Sequence, residues 1–205
     1  MPHRRDALLD AAISIVRTGG YPALTQTRVA ALAGVSQGHL TYYFPTRADL
    51  VRGVADRIVQ AQFATFDELP RPTTRAEALD NILALVTAAD RTRAFTTLLL
   101  AADVEPGARA AFSELVSGMR LRAVAVLAGL AGEAHDPEAI ALHATDGRLL
   151  HATAVGLAIL SLTEGDHVDD GEAAQTLSRL LELLVDPESP ARRNEGAQER
   201  RTEQP

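Results

Sequence analysis

The chain has 205 residues, carries a formal net charge of -7 and contains no cysteine. That length buries most of its apolar surface, either as one helical protein or as two small domains sharing a core, and the missing cysteines exclude disulfides, thiolate metal sites and thiol nucleophiles. All 20 basic side chains are arginine, so any cationic grip on an anion comes from a planar guanidinium able to bind bidentately.

Residues 1–20, MPHRRDALLDAAISIVRTGG, read as an amphipathic helix ending at glycine and not as a cleaved leader. Residues 25–50, TQTRVAALAGVSQGHLTYYFPTRADL, carry most of the information. Thr25 is an N-cap, Val29, Ala30, Leu32 and Ala33 give the first short helix an apolar side, and Gly34 supplies the backbone freedom of a sharp turn. Val35 plugs the angle between the two helices. Ser36 caps a second helix, which must stop at Phe44 because Pro45 cannot continue it. Gln37, His39, Thr41, Tyr42 and Tyr43 are its expected outward positions, with Leu40 and Phe44 as anchors beneath. Thr46 and Asp49 form a capping box that opens the following helix. Two short helices joined and stopped in this way form a helix-turn-helix, a unit that presents a helix to DNA.

The run Gly19-Gly20-Tyr21, Thr25, Val29-Ala30, Ala33-Gly34-Val35-Ser36, Gly38, Leu40, Tyr42-Tyr43-Phe44, Thr46-Arg47 and Asp49-Leu50 resembles the DNA-binding domain of the tetracycline-repressor (TetR) family. The resemblance covers about the first quarter of the chain; beyond it only length and helical character are shared. It implies that Thr25, Ser36, Tyr42, Tyr43 and Arg47 touch phosphates, that Gln37, Gly38, His39 and Thr41 lie nearest base edges, and that Thr27 and Arg28 complete the DNA-binding set. One departure is Thr41, where the family commonly places an aromatic residue; threonine can still contact a base or a thymine methyl. Charge distribution agrees with such a head. Residues 1–57 hold seven arginines against four aspartates, a balance of +3, and the rest of the chain balances at -10.

Past the reader the pattern is helical throughout. Helices are expected over 47–67, 74–89 after the break at Pro70 and Pro72, 92–104, 108–130, 137–163 and 172–185. Phe112, Leu115, Val116, Met119, Ala123, Val126, Leu127 and Leu130 give the fourth of these one broad apolar face. In the fifth, Gly147, His151, Ala154, Ala158, Ser161 and Gly165 recur at four- and three-residue steps, a seam of small residues that admits another backbone. With Leu177, Leu180, Leu181 and Leu184 on the last helix, this seam is the expected homodimer interface, and dimerisation through the last two long helices is also what the resemblance implies. A tail from Asp186, polar and proline-bearing, is expected to be disordered.

The resemblance further implies an effector cavity in the larger domain. Phe63, Phe66, Phe95, Leu98, Phe112, Val116 and Met119 are the candidate walls, with Asp146 and Thr153 as polar contacts, although aromatics at helical spacing are more often plain core. The expected architecture is therefore all-α: a helix-turn-helix domain over 1–46, a helical ligand-binding and dimerisation domain over 47–185, and the tail over 186–205. No HExxH pair, phosphate loop or Gly-x-Ser-x-Gly elbow is present, so neither catalysis nor a cofactor nor a metal is expected, and histidines 135, 143 and 151 read as helix-end or interface residues. The longest apolar stretch, Leu149 to Leu162, falls short of the ~20 residues of a membrane span. These features suggest a cytoplasmic homodimer that binds an operator in double-stranded DNA and answers to a small organic effector. A helical enzyme or carrier with an incidental helix-turn-helix, and a scaffold that docks proteins, are the rivals.

Overall fold

The computed structural model describes residues 2–133, 141, 143–163 and 170–185. Every regular element among them is a helix: α1 (Pro2–Gly19), a 3-10 turn (Tyr21–Ala23), α2 (Gln26–Leu32), α3 (Gln37–Tyr43), α4 (Arg47–Asp67), α5 (Arg75–Val86), α6 (Ala89–Val104), α7 (Pro106–Leu130), α8 (Ala144–Thr163) and α9 (Asp170–Val185). The all-helical expectation is met, and no strand occurs among the described residues. Starts set by side chains fall where the sequence places them. The Thr46–Asp49 box opens α4 and a second box, Thr74 with Glu77, opens α5 after the proline break. Helix α6 begins three residues earlier than expected, at Ala89, because its N-cap is Ala88, which has no side-chain cap and leaves no mark in the sequence. The expected helix start at Pro137 and the tail from Asp186 lie outside the described residues.

The chain divides into two compact units, Met1–Leu69 with Ala88–Gly118, and Pro70–Thr87 with Met119–Pro205. In the first unit, Leu8, Leu9 and Ala12 of α1, Val29 of α2, Leu40 and Phe44 around α3, and Leu50 and Val54 of α4 are all buried. Gly53 makes this packing feasible, since a Cβ there would come within 2.8 Å of the Phe44 ring. Arg57 on α4 pairs with Asp10 of α1 at 3.3 Å, tying the long helix to the head. Further along α4, buried Gln62 donates its amide to the carbonyl of Arg91 at 3.0 Å, which fixes α4 to the start of α6.

The second unit has a core of its own. Ala78, Ile82 and Val86 of α5, Ala123 and Leu127 of α7, Leu150 of α8, and Leu177, Leu181 and Leu184 of α9 form one buried cluster. Among the described residues no helix is long and apolar enough to cross a membrane.

Candidate nucleic-acid interface and effector region

The reader is assembled from local rules. Thr25 Oγ1 accepts from the Arg28 amide at 3.3 Å and opens α2; Gly34, at φ 66°, turns the chain; and Ser36 Oγ accepts from the His39 amide at 3.2 Å to open α3. The Val35 amide bonds back to the Ala30 carbonyl at 3.0 Å, closing the turn. Leu40 and Phe44 are buried beneath the helix, and Phe44 leaves helical geometry ahead of Pro45. From α2, Gln26 Nε2 donates to the Phe44 carbonyl at 2.8 Å, so the end of α3 is held from outside as well.

Most of the expected DNA-contacting set stands open. Thr25, Thr27, Arg28, Ser36, Gln37, Gly38 and Tyr42 are exposed, and Tyr42 retains 79% of its surface. A Cβ added to Gly38 would meet nothing within 4 Å. Tyr43 is half-buried between the rings of Tyr42, edge-on at 5.1 Å, and His39, tilted at 5.5 Å. Thr41 is half-buried and its hydroxyl donates to the Gly38 carbonyl at 3.1 Å. His39 departs from its expected outward placement: Nε2 is shut off from solvent, with no hydrogen-bond partner among the described residues. Its ring packs tilted against that of Tyr43.

Arg47 departs further. The guanidinium expected on a phosphate donates from Nη1 to Glu105 Oε1 at 2.6 Å and to the Tyr21 hydroxyl at 2.9 Å, while its Cζ lies 4.9 Å from the Tyr21 ring centroid. Tyr21 in turn donates to Glu105 at 3.1 Å. Burial raises the Tyr21 pKa against the pull of Arg47, so the phenol keeps its proton and the triad is one cation, one anion and one neutral bridge. Glu105 closes α6, and Arg109 binds the carbonyls of Ala102 and Asp103 behind it, so the corner between α6 and α7 is tied to the base of the head. Pattern reasoning could not see this contact, since Arg47 and Glu105 are 58 residues apart.

Of the candidate effector residues, the first unit brings together Phe95 and Phe112, tilted with centroids 5.4 Å apart, beside buried Leu98. Phe63 lies against Gly118, where a Cβ would collide with its ring. Phe66 and Val116 are half-buried. Met119, Asp146 and Thr153 belong to the second unit. There Asp146 Oδ2 sits 3.8 Å from Nδ1 of buried His143, whose Nε2 is 3.1 Å from Glu133. His143 thus stands just ahead of α8, between two carboxylates.

The small-residue seam of α8 is turned toward its own chain. Gly147 is packed against Val124, Ala154 and Ala158 lie on the core cluster, and Ser161 donates to the Val86 carbonyl at 3.5 Å. Leu177, Leu181 and Leu184 are also buried within the chain, with Leu180 packed beside them. Burial, and then Arg120, hold the pKa of half-buried His151 below its ordinary value. On these two helices the exposed large apolar residues are Leu149 and Leu160 of α8 and Leu183 of α9.

An all-helical chain with an N-terminal helix-turn-helix, open along the outer side of its second helix, has the form of a DNA-binding transcriptional regulator. Residues 8–54 match the family described as bacterial regulatory proteins, tetR family. A TetR-family member from Streptomyces coelicolor A3 is 26% identical over 86% of this chain and 97% of its own, with a TM-score of 0.67. The multidrug binding protein EbrR, solved with proflavin, is 26% identical over 86% of this chain and 99% of its own, at 0.63. A transcriptional regulator from Saccharomonospora viridis, solved with choline, shares the fold at 20% identity, covering 89% of this chain and 97% of its own, at 0.71. No curated protein matches the chain in sequence. Residues 8–54 are thus a tetR-family DNA-binding domain, and over most of its length the chain is similar to a solved TetR-family member.

Proposed function

We propose that the protein is a homodimeric repressor that holds a palindromic operator and releases it when a small organic effector enters the region of Phe63, Phe66, Phe95, Leu98, Phe112 and Val116. The observation that carries the DNA half of this reading is the open outer side of α3 around Gly38, framed by exposed Gln37 and Tyr42. Thr25, Thr27, Arg28, Ser36 and Tyr42 then hold phosphates while Gln37, Gly38 and Thr41 face base edges. The effector half is supported by the aromatic pair of α6 and α7 and by the choline and proflavin bound to two neighbours of the same fold. Helix α4 runs from the capping box beside α3 to Phe63 and Phe66, so a ligand pressing on its far end moves the base of the reader.

For the second copy we propose the solvent-exposed apolar side of α8 and α9. Leu149, Thr153, Gly156 and Leu160 fall on one side of α8, a Cβ on Gly156 would meet nothing, and Leu183 is exposed on α9. Such a surface suits an isologous pairing of two helices per subunit. The two recognition helices must then match ~34 Å or a multiple of it. The test is fluorescence anisotropy on the DNA flanking the gene, with sedimentation alongside. A dimer whose specific affinity falls with salt, and whose operator and effector weaken each other by the same factor, is the expected result. Absence of sequence-specific binding overturns the proposal.

A further inference from the structure

Arg91 lies in the first turn of α6 with its backbone pinned by Gln62 and its side chain half-buried. Its Nη1 is closed off from solvent and has no hydrogen-bond partner among the described residues. No ion pair to a carboxylate is formed by it among the described residues, and neighbouring Asp90 pairs with Arg93 instead, at 3.2 Å. Desolvation lowers the Arg91 pKa with no opposing charge to offset it. Arginine nevertheless remains protonated in proteins, so this cation cannot escape its burial by losing a proton. A desolvated cation without a counter-ion is costly, and the cost is relieved by an anion that arrives.

The position of Arg91 on its helix says what kind of anion. Arg91, Phe95 and Leu98 follow one another at four and three residues and share one side of α6. Phe95 packs on Phe112, and Leu98, three residues on from Phe95, is buried. One cation, one turn from an aromatic and aliphatic wall, matches a ligand with an apolar body and one charged end. We infer that Arg91 is the anion-binding group of the effector region and that the effector is an organic acid, its carboxylate gripped by the guanidinium and its body laid along Phe95 and Phe112. This rests on the effector reading given above. It adds the charge of the ligand and the residue that selects it.

The experiment uses matched head groups on the full-length protein at equal ionic strength. Octanoate, cinnamate and naphthoate are each compared with the corresponding primary amide and amine by thermal shift and calorimetric titration, on the wild type and on Arg91→Gln and Arg91→Lys. The expected result is that at least one acid binds the wild type about tenfold or more tightly than its amide or amine, as a charge-assisted pair requires. Arg91→Gln should bring that acid down to the affinity of the amide, and Arg91→Lys should keep part of the preference. An amide or amine that binds as tightly as its acid overturns the inference and leaves the effector reading standing, as does an acid preference that survives in Arg91→Gln. If no head group on any body binds, the inference and the effector reading fall together. Should Arg91→Gln not fold, the acid, amide and amine contrast on the wild type decides alone.

Discussion

The fold does not require that Gly38 lack a side chain, and on the proposed reading it is the DNA that does. A Cβ there meets nothing, and the residue lies inside α3, where glycine is a poor helix former. Gly38→Leu should therefore leave the melting temperature unchanged or raise it, by the equivalent of about 0.5 to 1 kcal/mol. Operator binding should nonetheless be lost, because the added bulk holds α3 off the groove; normal affinity in anisotropy would sink the docking arrangement. Gln37 and Tyr42 separate reading from holding. Gln37→Ala should cost about 1 to 3 kcal/mol at one base pair, seen as relaxed selectivity in a binding competition, while Tyr42→Phe should weaken all sequences alike. The caps at Thr25, Ser36 and Thr46 were legible in the sequence because each acts on an amide three residues away. The intramolecular partners of His39 and Arg47 were not legible for the opposite reason: period and propensity say that a side chain is polar, not whether an aromatic neighbour or a distant carboxylate lies against it.

Among the elements, α4 has its start fixed by chemistry that titrates. The Asp49 carboxylate accepts from the Thr46 hydroxyl and amide, and those bonds hold its pKa below the ordinary value. Glu77 is held down in the same way by Thr73 and Thr74 at the start of α5. A depressed carboxylate stabilises the folded chain above its unfolded pKa and loses that contribution as the pH falls through its folded value. Chemical denaturation across the acid range should thus show Asp49→Asn with a shallower decline in stability than the wild type. An identical decline would remove the capping box from the account. Thr46→Ala should cost about 1 kcal/mol at neutral pH. Helix α8 marks where element-scale reading stops. Its small-residue seam was visible, yet α8 has large apolar residues on both sides, and only the placement of α5, α7 and α9 shows that the seam faces inward and Leu149 and Leu160 outward.

At the scale of the whole molecule, the proposed assembly depends on the surface of α8 and α9. Leu160→Arg puts a guanidinium at the proposed two-fold contact while leaving the chain's own core alone, since Leu160 retains 51% of its surface. Sedimentation should show monomers, and operator affinity should fall with them, because neither half-site is held firmly alone. A full dimer in this variant would move the contact to another face. The +3 head and the -10 remainder bear on the same event, since an acidic body turned toward DNA is repelled and the basic head is not.

The triad of Arg47, Tyr21 and Glu105 has an effect on the ion atmosphere of DNA. A cation that meets a phosphate displaces a condensed counterion, and each such meeting steepens the fall of log affinity with log salt by about 0.9. Arg47 is paired with Glu105, and on the proposed reading that pair keeps it from displacing one. Glu105→Gln should return it to the count: non-specific DNA affinity at low salt should rise and the salt slope steepen by about one contact's worth. An unchanged slope would mean that Arg47 serves only as a strut between the head and the corner of α6 and α7. On the proposed reading, with the pair intact the protein forgoes one sequence-blind contact, and a larger share of its hold on DNA is left to the residues that face bases.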